Sequence, residues 1–246
     1  MSIISKYLLK PFGLQISKIQ SDEDFIQDAV FLKIFQQCKP YTMTSVERMY
    51  ALYNAVKYVI KNNIEGDFVE CGVWRGGSSM MIALTLNSMQ VNNRQLFLYD
   101  TFEGMSEPTE NDVDFRGGNA DSLLKQNVED KLNSVWCLAD LQDVQNNMKL
   151  TNYPIQNIKF VQGKVEDTIP QTISENIALL RLDTDWYEST AHELKYLYPK
   201  LLTKGVLIID DYGHWEGCRK AVDEYFTGDT LLLNRIDYTG RIAIKA

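Results

Sequence analysis

The stretch GDFVECGVWRGGSS, residues 66–79, changes its backbone rule partway along. Phe68, Val69 and Cys71 make a short apolar run that reads as a buried strand. Gly72 closes it, Gly76 and Gly77 follow, and the run SSMMIALTLNSM, residues 78–89, reads as a helix. A strand that ends in glycine and passes straight into a helix is the first unit of a parallel α/β sheet. Glycine at 72 permits close approach of a ligand to the backbone. Gly76 and Gly77 open the helix and leave its first N–H groups free.

The same alternation continues on both sides. Upstream, residues 45–62 place Met49, Leu52, Tyr53, Val56, Val59 and Ile60 at helical spacing. Ser45 is the expected N-cap, and Arg48 at the third helical position leaves no capping box. Downstream, QLFLYD (95–100), IKFVQG (158–163), IALLRLD (177–183) and GVLIIDD (205–211) read as strands, with helical patterns at 187–199 and 215–226. The last run, TLLLNRIDYTGRIAIKA, folds back at Thr239-Gly240 as an antiparallel hairpin. The expected fold is α/β and Rossmann-like: a mostly parallel seven-stranded sheet, a terminal antiparallel hairpin, and helices on both faces. Residues 101–121 carry Gly, Pro and acids with little apolar periodicity, which is the pattern of a lid loop. The expected division is an N-terminal arm or helical extension over 1–40 and one domain over 41–246.

Bulk composition narrows the function classes. A chain of 246 residues fits one large α/β domain. A formal charge of −8 argues against nucleic-acid binding, which needs a basic face. Cys38, Cys71, Cys137 and Cys218 lie far apart with no CxxC pair, as expected of free thiols in a reducing cytoplasm. The N-terminus is broken by Lys6, Lys10, Pro11 and Gly13, so neither a signal peptide nor a transmembrane segment is expected. It reads as a flexible arm or a dimer contact rather than a weak surface anchor.

Two pairs of acids end two of the strands: Asp183 and Asp185 in LDTDWYE, Asp210 and Asp211 in IIDDYGHWEG. In a parallel sheet, ligands sit beyond the carboxyl ends of the strands. Neighbouring strands lie roughly 4.8 Å apart, so both pairs reach one spot. Carboxylates gathered there repel one another unless a cation lies between them. Oxygen-only donors favour Mg²⁺, Ca²⁺ or Mn²⁺ over Zn²⁺. Asp183 and Asp185 are two apart, which in extended backbone points them to one side. Turn chemistry at a strand end is the competing explanation. His214, beside Asp211, is open to a role as proton acceptor or substrate contact; His192 reads as structural. Trp186, Tyr187, Tyr212 and Trp215 flank the acids, either as the rim of a carbohydrate or polyphenol site or as ordinary packing.

The glycine turn is neither GxGxxG nor a P-loop, since no Lys follows Gly77. The spacing Glu70-x-Gly72-x-x-x-Gly76 after a first strand matches the turn of methyltransferases that use S-adenosylmethionine. Asp100 at the end of the second strand is placed to accept from ribose hydroxyls, or to cap the next segment. DTD is also similar to the DxD of sugar-nucleotide glycosyltransferases, where two acids hold Mn²⁺ and a diphosphate. The glycine turn and Asp100 are not expected there.

Taken together, TMTSVERMYAL, GDFVECGVWRGGSS, LYDTFEGM, GKVEDTIP, LRLDTDWYEST and GVLIIDDYGHWEGCRKAVDEYF resemble the macrocin O-methyltransferase family over residues 40–246. The resemblance implies the class I methyltransferase fold and Mg²⁺-dependent methyl transfer from S-adenosylmethionine to a sugar hydroxyl. It also implies an acceptor with adjacent hydroxyls, a mobile lid and a homo-oligomer. By the same resemblance Asp183, Asp210 and Asp211 are metal ligands and Asp185 is the general base. Met43, Thr44, Glu70, Gly72, Ser78 and Asp100 form the donor site. Lys164 departs from the pattern, because an acid is common there among methyltransferases. A phenol methyltransferase of catechol type would use nearly the same acids, and a non-catalytic sensor would bind without transfer.

Overall fold

A computed structural model of the chain describes residues 27–129, 131, 134–228 and 231–246. The N-terminal arm expected on sequence lies outside the described residues up to position 26. Five strands are parallel: β1 (Asp67–Cys71), β2 (Leu96–Asp100), β3 (Ile158–Gln162), β4 (Ile177–Leu182) and β5 (Leu201–Ile209). The terminal hairpin supplies β6 (Asn234–Arg235) and β7 (Arg241–Ile244), and β7 runs antiparallel to β5. Among the described residues these seven strands form one sheet in the order β3-β2-β1-β4-β5-β7-β6. The hairpin turn is held by Asp237, whose Oδ1 accepts from the Thr239 and Gly240 amides at 2.9 and 2.7 Å.

Helices cover both faces, as the near-continuous apolar strands require. Strand alternation sends Phe68, Leu98, Leu179 and Ile208 to one core. That core takes side chains from α1 (Ala29–Cys38), α2 (Val46–Lys61), α3 (Gly77–Ser88) and α5 (Leu141–Lys149). Val69, Tyr99, Leu180 and Ile209 face the other core, with α4 (Ala120–Gln126), α6 (Val165–Thr168), α7 (Tyr187–Leu197) and α8 (Glu216–Tyr225). Ser45 caps α2 by accepting from the Arg48 amide at 3.2 Å. Helix α1 falls inside the segment set apart on sequence, yet Phe31, Ile34 and Cys38 are buried in the shared core. No described helix is long and apolar enough to cross a membrane.

One local feature differs from expectation. Strand β5 starts earlier than 205 and ends at Ile209, so Asp210 and Asp211 lie just past it. The 101–121 loop is pinned. Asp112 is fully buried, accepts from the Thr109 amide at 2.7 Å, and accepts from the Tyr187 amide at the start of α7 at 2.8 Å. Val113 accepts from the Glu216 amide at 2.9 Å, and the Phe115 amide donates to the His214 carbonyl at 2.9 Å.

Candidate active site

The carboxyl edges of β1, β2, β4 and β5 open into one cavity of about 390 Å³. Thr44, Gly72, Ser78 and Asp100 line one end, and Asp183, Asp185, Asp211 and His214 the other.

The first end is built around Gly72, at φ +82°, where an added Cβ would meet the Asp183 carbonyl oxygen at 1.9 Å. Only glycine lets β1 and the strand-end turn after β4 lie this close. Asp100 braces the turn: Oδ2 accepts from the Val73 and Trp74 amides at 2.7 and 3.0 Å, and Oδ1 from the Phe102 amide at 2.7 Å. Burial raises its pKa in spite of these three donors. Asp100 therefore holds the glycine turn in shape and borders the cavity. Gly77 brings the 41–44 segment over the turn; a Cβ there would strike the Tyr41 carbonyl oxygen at 2.6 Å. Met43 and Thr44 thereby border the cavity, as does Ser78. Glu70 does not. It is 1% exposed, behind the turn, bonded to Ser79 Oγ and to Arg181 Nη1, the latter at 2.6 Å. Lys164 lines a small adjoining cavity with Gly163 and Glu166, so an acid does border that corner, two residues along the chain.

At the second end a fully buried arginine organises the acids. Arg181 lies opposite Glu70 on β1 and Ile208 on β5. It reaches Asp183 Oδ2 and Asp210 Oδ1 at 2.7 Å each, besides Glu70. Arg48, from the first turn of α2, bonds Asp210 Oδ2 and reaches Asp237 Oδ2 at 3.0 Å. Burial works against the Arg48 charge, but the surrounding carboxylates, Asp210 foremost, outweigh it and raise its pKa. Both Asp210 oxygens are thus held by guanidinium groups. Asp183, Asp185 and Asp211 instead bring ligand oxygens within 4.8 Å of one another, and Asp211 Oδ2 is buried without a partner.

The route to this convergence is not the one strand alternation suggested. Strand β4 stops at Leu182, and Asp185 adopts a left-handed backbone at φ +66°. The turn is fastened from behind by Thr184, whose hydroxyl donates to buried Glu193 at 3.1 Å. Burial, then the charge of Asp183, raises the Asp185 carboxyl to about 7. Burial and the Asp185 charge also hold Asp211 well above the usual carboxylate range. His214 Nδ1 lies 3.1 Å from the Tyr238 hydroxyl, and burial lowers its pKa. His192 is structural, with Nε2 2.8 Å from the Ile169 carbonyl. Of the flanking aromatics, Trp186 and Trp215 are buried and packed edge to face with centroids 5.0 Å apart.

The two arginines went unread on sequence. Arg181 did leave a signal, as the one charge inside the apolar run IALLRL. Arg48 was noted only for failing to complete a capping box.

Known proteins resemble this chain in sequence and fold. The model of the family described as macrocin O-methyltransferase (TylF) matches residues 36–243. Demethyldecarbamoylnovobiocin O-methyltransferase of Streptomyces niveus is 34% identical over 185 residues, 75% of this chain and 67% of that protein. Mycinamicin III 3''-O-methyltransferase of Micromonospora griseorubida is 32% identical over 185 residues, 75% of this chain and 70% of that protein. The solved structure of the O-methyltransferase NovP superposes with a TM-score of 0.72 at 32% identity, covering 84% of this chain and 82% of NovP.

Proposed function

Because the chain belongs to the macrocin O-methyltransferase family, and is therefore an S-adenosylmethionine-dependent O-methyltransferase, we propose that its acceptor is a sugar hydroxyl of a glycosylated natural product and that transfer requires a divalent cation, Mg²⁺ by preference. The sugar reading is supported by a relative of Streptomyces olivaceus, 33% identical over 185 residues, that is named for a rhamnosyl acceptor, 8-demethyl-8-(2,3-dimethoxy-alpha-L-rhamnosyl)-tetracenomycin-C. The observation that carries the cation is the unpartnered, buried Asp211 Oδ2 among three converging carboxylates. A buried carboxylate oxygen with no donor is costly unless something positive meets it. The donors are all oxygen, which fits Mg²⁺.

Asp183 and Asp211 are ligands in either of two arrangements. In the first, Asp210 is the third ligand and Asp185 is left as proton acceptor. In the second, favoured by the 4.8 Å grouping, Asp185 takes the place of Asp210. Each carboxylate oxygen has two lone pairs, so the arginine contacts leave Asp210 able to serve.

When bound, S-adenosylmethionine supplies an already activated methyl group, and a divalent cation supplies charge that favours ionisation of a sugar hydroxyl. The chain's own residues do the rest. Gly72, Ser78, Asp100 and the 41–44 segment shape the donor end. In the first arrangement an Asp185 oxygen receives the hydroxyl proton, and a carboxyl titrating near neutrality suits a base at neutral pH; in the second His214 is the nearest remaining acceptor. Gly104 and Met105 of the 101–121 loop border the same cavity. The family match turns the DTD motif away from nucleotide-sugar binding, and the catechol reading is separable by acceptor.

The test uses chelated protein and a panel of 6-deoxyhexose glycosides and catechols. Transfer of labelled methyl is expected to vanish in EDTA and return with Mg²⁺, while calorimetry shows S-adenosylmethionine still bound. Full turnover in EDTA would remove the cation from the mechanism; transfer to catechols alone would remove the sugar.

A pH dependence follows from the raised carboxyls. Their folded pKa values exceed the unfolded ones, so the folded acid cluster holds more protons through the window from about 4 to about 7. The cluster's contribution to stability therefore falls as pH rises across it. Chelated protein is expected to melt lower at pH 8 than at pH 5.5, and Mg²⁺ to raise the melting temperature more at pH 8. A Mg²⁺ effect that is largest at pH 5.5 would contradict this.

A further inference from the structure

The glycine turn carries a side chain that neither end of the cavity uses. Trp74 and Gly77 border the cavity, while Arg75 between them lies outside it. The Arg75 guanidinium has three partners instead. Nε and Nη2 donate to Asp143 Oδ2 and Oδ1 at 2.8 and 3.2 Å, a two-point grip on the first turn of α5. Nη1 donates to the Pro40 carbonyl at 3.3 Å, and the guanidinium carbon lies 5.2 Å from the Tyr41 ring centroid. From the same helix, Asn147 Nδ2 donates to the Arg75 carbonyl at 3.0 Å. Arg75 thus ties α5 to the start of the 40–44 segment. That segment rests on the turn at Gly77 and borders the donor end through Tyr41, Thr42, Met43 and Thr44. Its far end is tied as well: Arg181 Nη2 donates to Thr44 Oγ1 at 3.3 Å, and Ser45 Oγ to Asp237 Oδ2 at 2.8 Å.

A ligand held between this segment and the glycine turn leaves only when one of them gives way. The turn is braced by Asp100. The far ties of the segment belong to the better-buried network around Arg181 and Arg48. Arg75 and Asp143 are 35% and 34% exposed, so the near tie is the one for which water competes. An ion pair this exposed adds little to the stability of a whole fold. Its effect is local, on the segment it fastens. We propose that Arg75 is a positioning residue for the methyl donor: from outside the cavity, with Asp143 as the fixed jaw, it clamps the 40–44 segment over the donor and sets how fast S-adenosylmethionine and its demethylated product leave. The proposal rests on reading the Gly72 end of the cavity as the donor end.

The test measures S-adenosylmethionine binding by calorimetry and its release by stopped flow. Arg75→Ala is expected to raise Kd about tenfold, mostly through koff, the scale of a charged hydrogen bond with a ring stack. The melting temperature of the ligand-free variant is expected to move little. Arg75→Lys keeps the charge but not the planar fork, and is expected to fall between. Asp143→Asn separates the clamp from a rival in which Arg75 grips the donor's carboxylate itself. The clamp predicts weaker binding, with no further loss when Asp143→Asn is added to Arg75→Ala. The rival predicts tighter binding, because the guanidinium is released, and that result overturns the clamp. A lower melting temperature with unchanged koff makes Arg75 a purely structural residue and overturns it too. Asp100→Asn is the control for the donor end. If it weakens binding and Arg75→Ala does not, the clamp falls and the donor end stands. If it leaves Kd unchanged, the donor-end reading falls and the clamp with it.

Discussion

Asp185→Asn is expected to lower kcat by about 10²- to 10⁴-fold, the usual contribution of a positioned general base, with little change in the affinity for S-adenosylmethionine. Asparagine is the informative replacement because residue 185 has φ +66°, a backbone region that asparagine tolerates better than most side chains. The variant keeps the shape and loses the charge. Removing one of three crowded carboxylates also relieves repulsion, so chelated Asp185→Asn is expected to melt no lower than chelated wild type. The measurement that separates the two ligand arrangements is Mg²⁺ calorimetry on the same variant. Unchanged Mg²⁺ affinity with lost turnover identifies Asp185 as the base and Asp210 as the third ligand. A loss of tenfold or more in Mg²⁺ affinity makes Asp185 a ligand and returns Asp210 to its arginines. Near-normal turnover would dismiss Asp185 from both roles, and His214 would be the next acceptor to substitute.

The sequence carried the sheet well because periodicity and glycine punctuation are local. Residues 66–79 alone gave β1, the turn and the start of α3, and the D-D and D-T-D pairs marked the carboxyl edge. What stayed hidden depends on contacts between distant segments. Helices α4, α5 and α6 were not anticipated; α4 and α6 are short, at 7 and 4 residues, and carry little periodicity. The brace formed by Asp112 joins the 101–121 loop to α7, 75 positions away, a contact that composition alone does not show. The assignment of Asp210 was open to the same blindness. Its neighbours in the chain suggest a ligand, and only the fold shows Arg48, 162 positions earlier, against it.

Arg181→Met is expected to be the most damaging single change to stability, on the order of 3–5 kcal/mol in urea unfolding, because it leaves buried carboxylates without their common partner. Three carboxylates share that one guanidinium: Glu70 on β1, Asp183 after β4 and Asp210 after β5. Glu70 and Asp210 are 1% and 2% exposed, so water cannot take over the role. Arg181→Lys keeps the charge but not the planar fork that reaches all three, and is expected to fall between. Two further arms show whether charge is the cause. Lowering the pH protonates the stranded carboxyls, so the deficit of Arg181→Met is expected to shrink between pH 7.5 and pH 5. Adding Glu70→Gln to Arg181→Met is expected to cost less than the sum of the two single changes, since each removes the other's partner. Additive losses at an unchanged deficit across pH would mean that Arg181 acts by packing volume alone. Non-additive losses would identify it as the electrostatic joint between the glycine turn that shapes the donor end and the acids at the other end. The two ends would then be fixed relative to each other by one side chain that touches neither substrate.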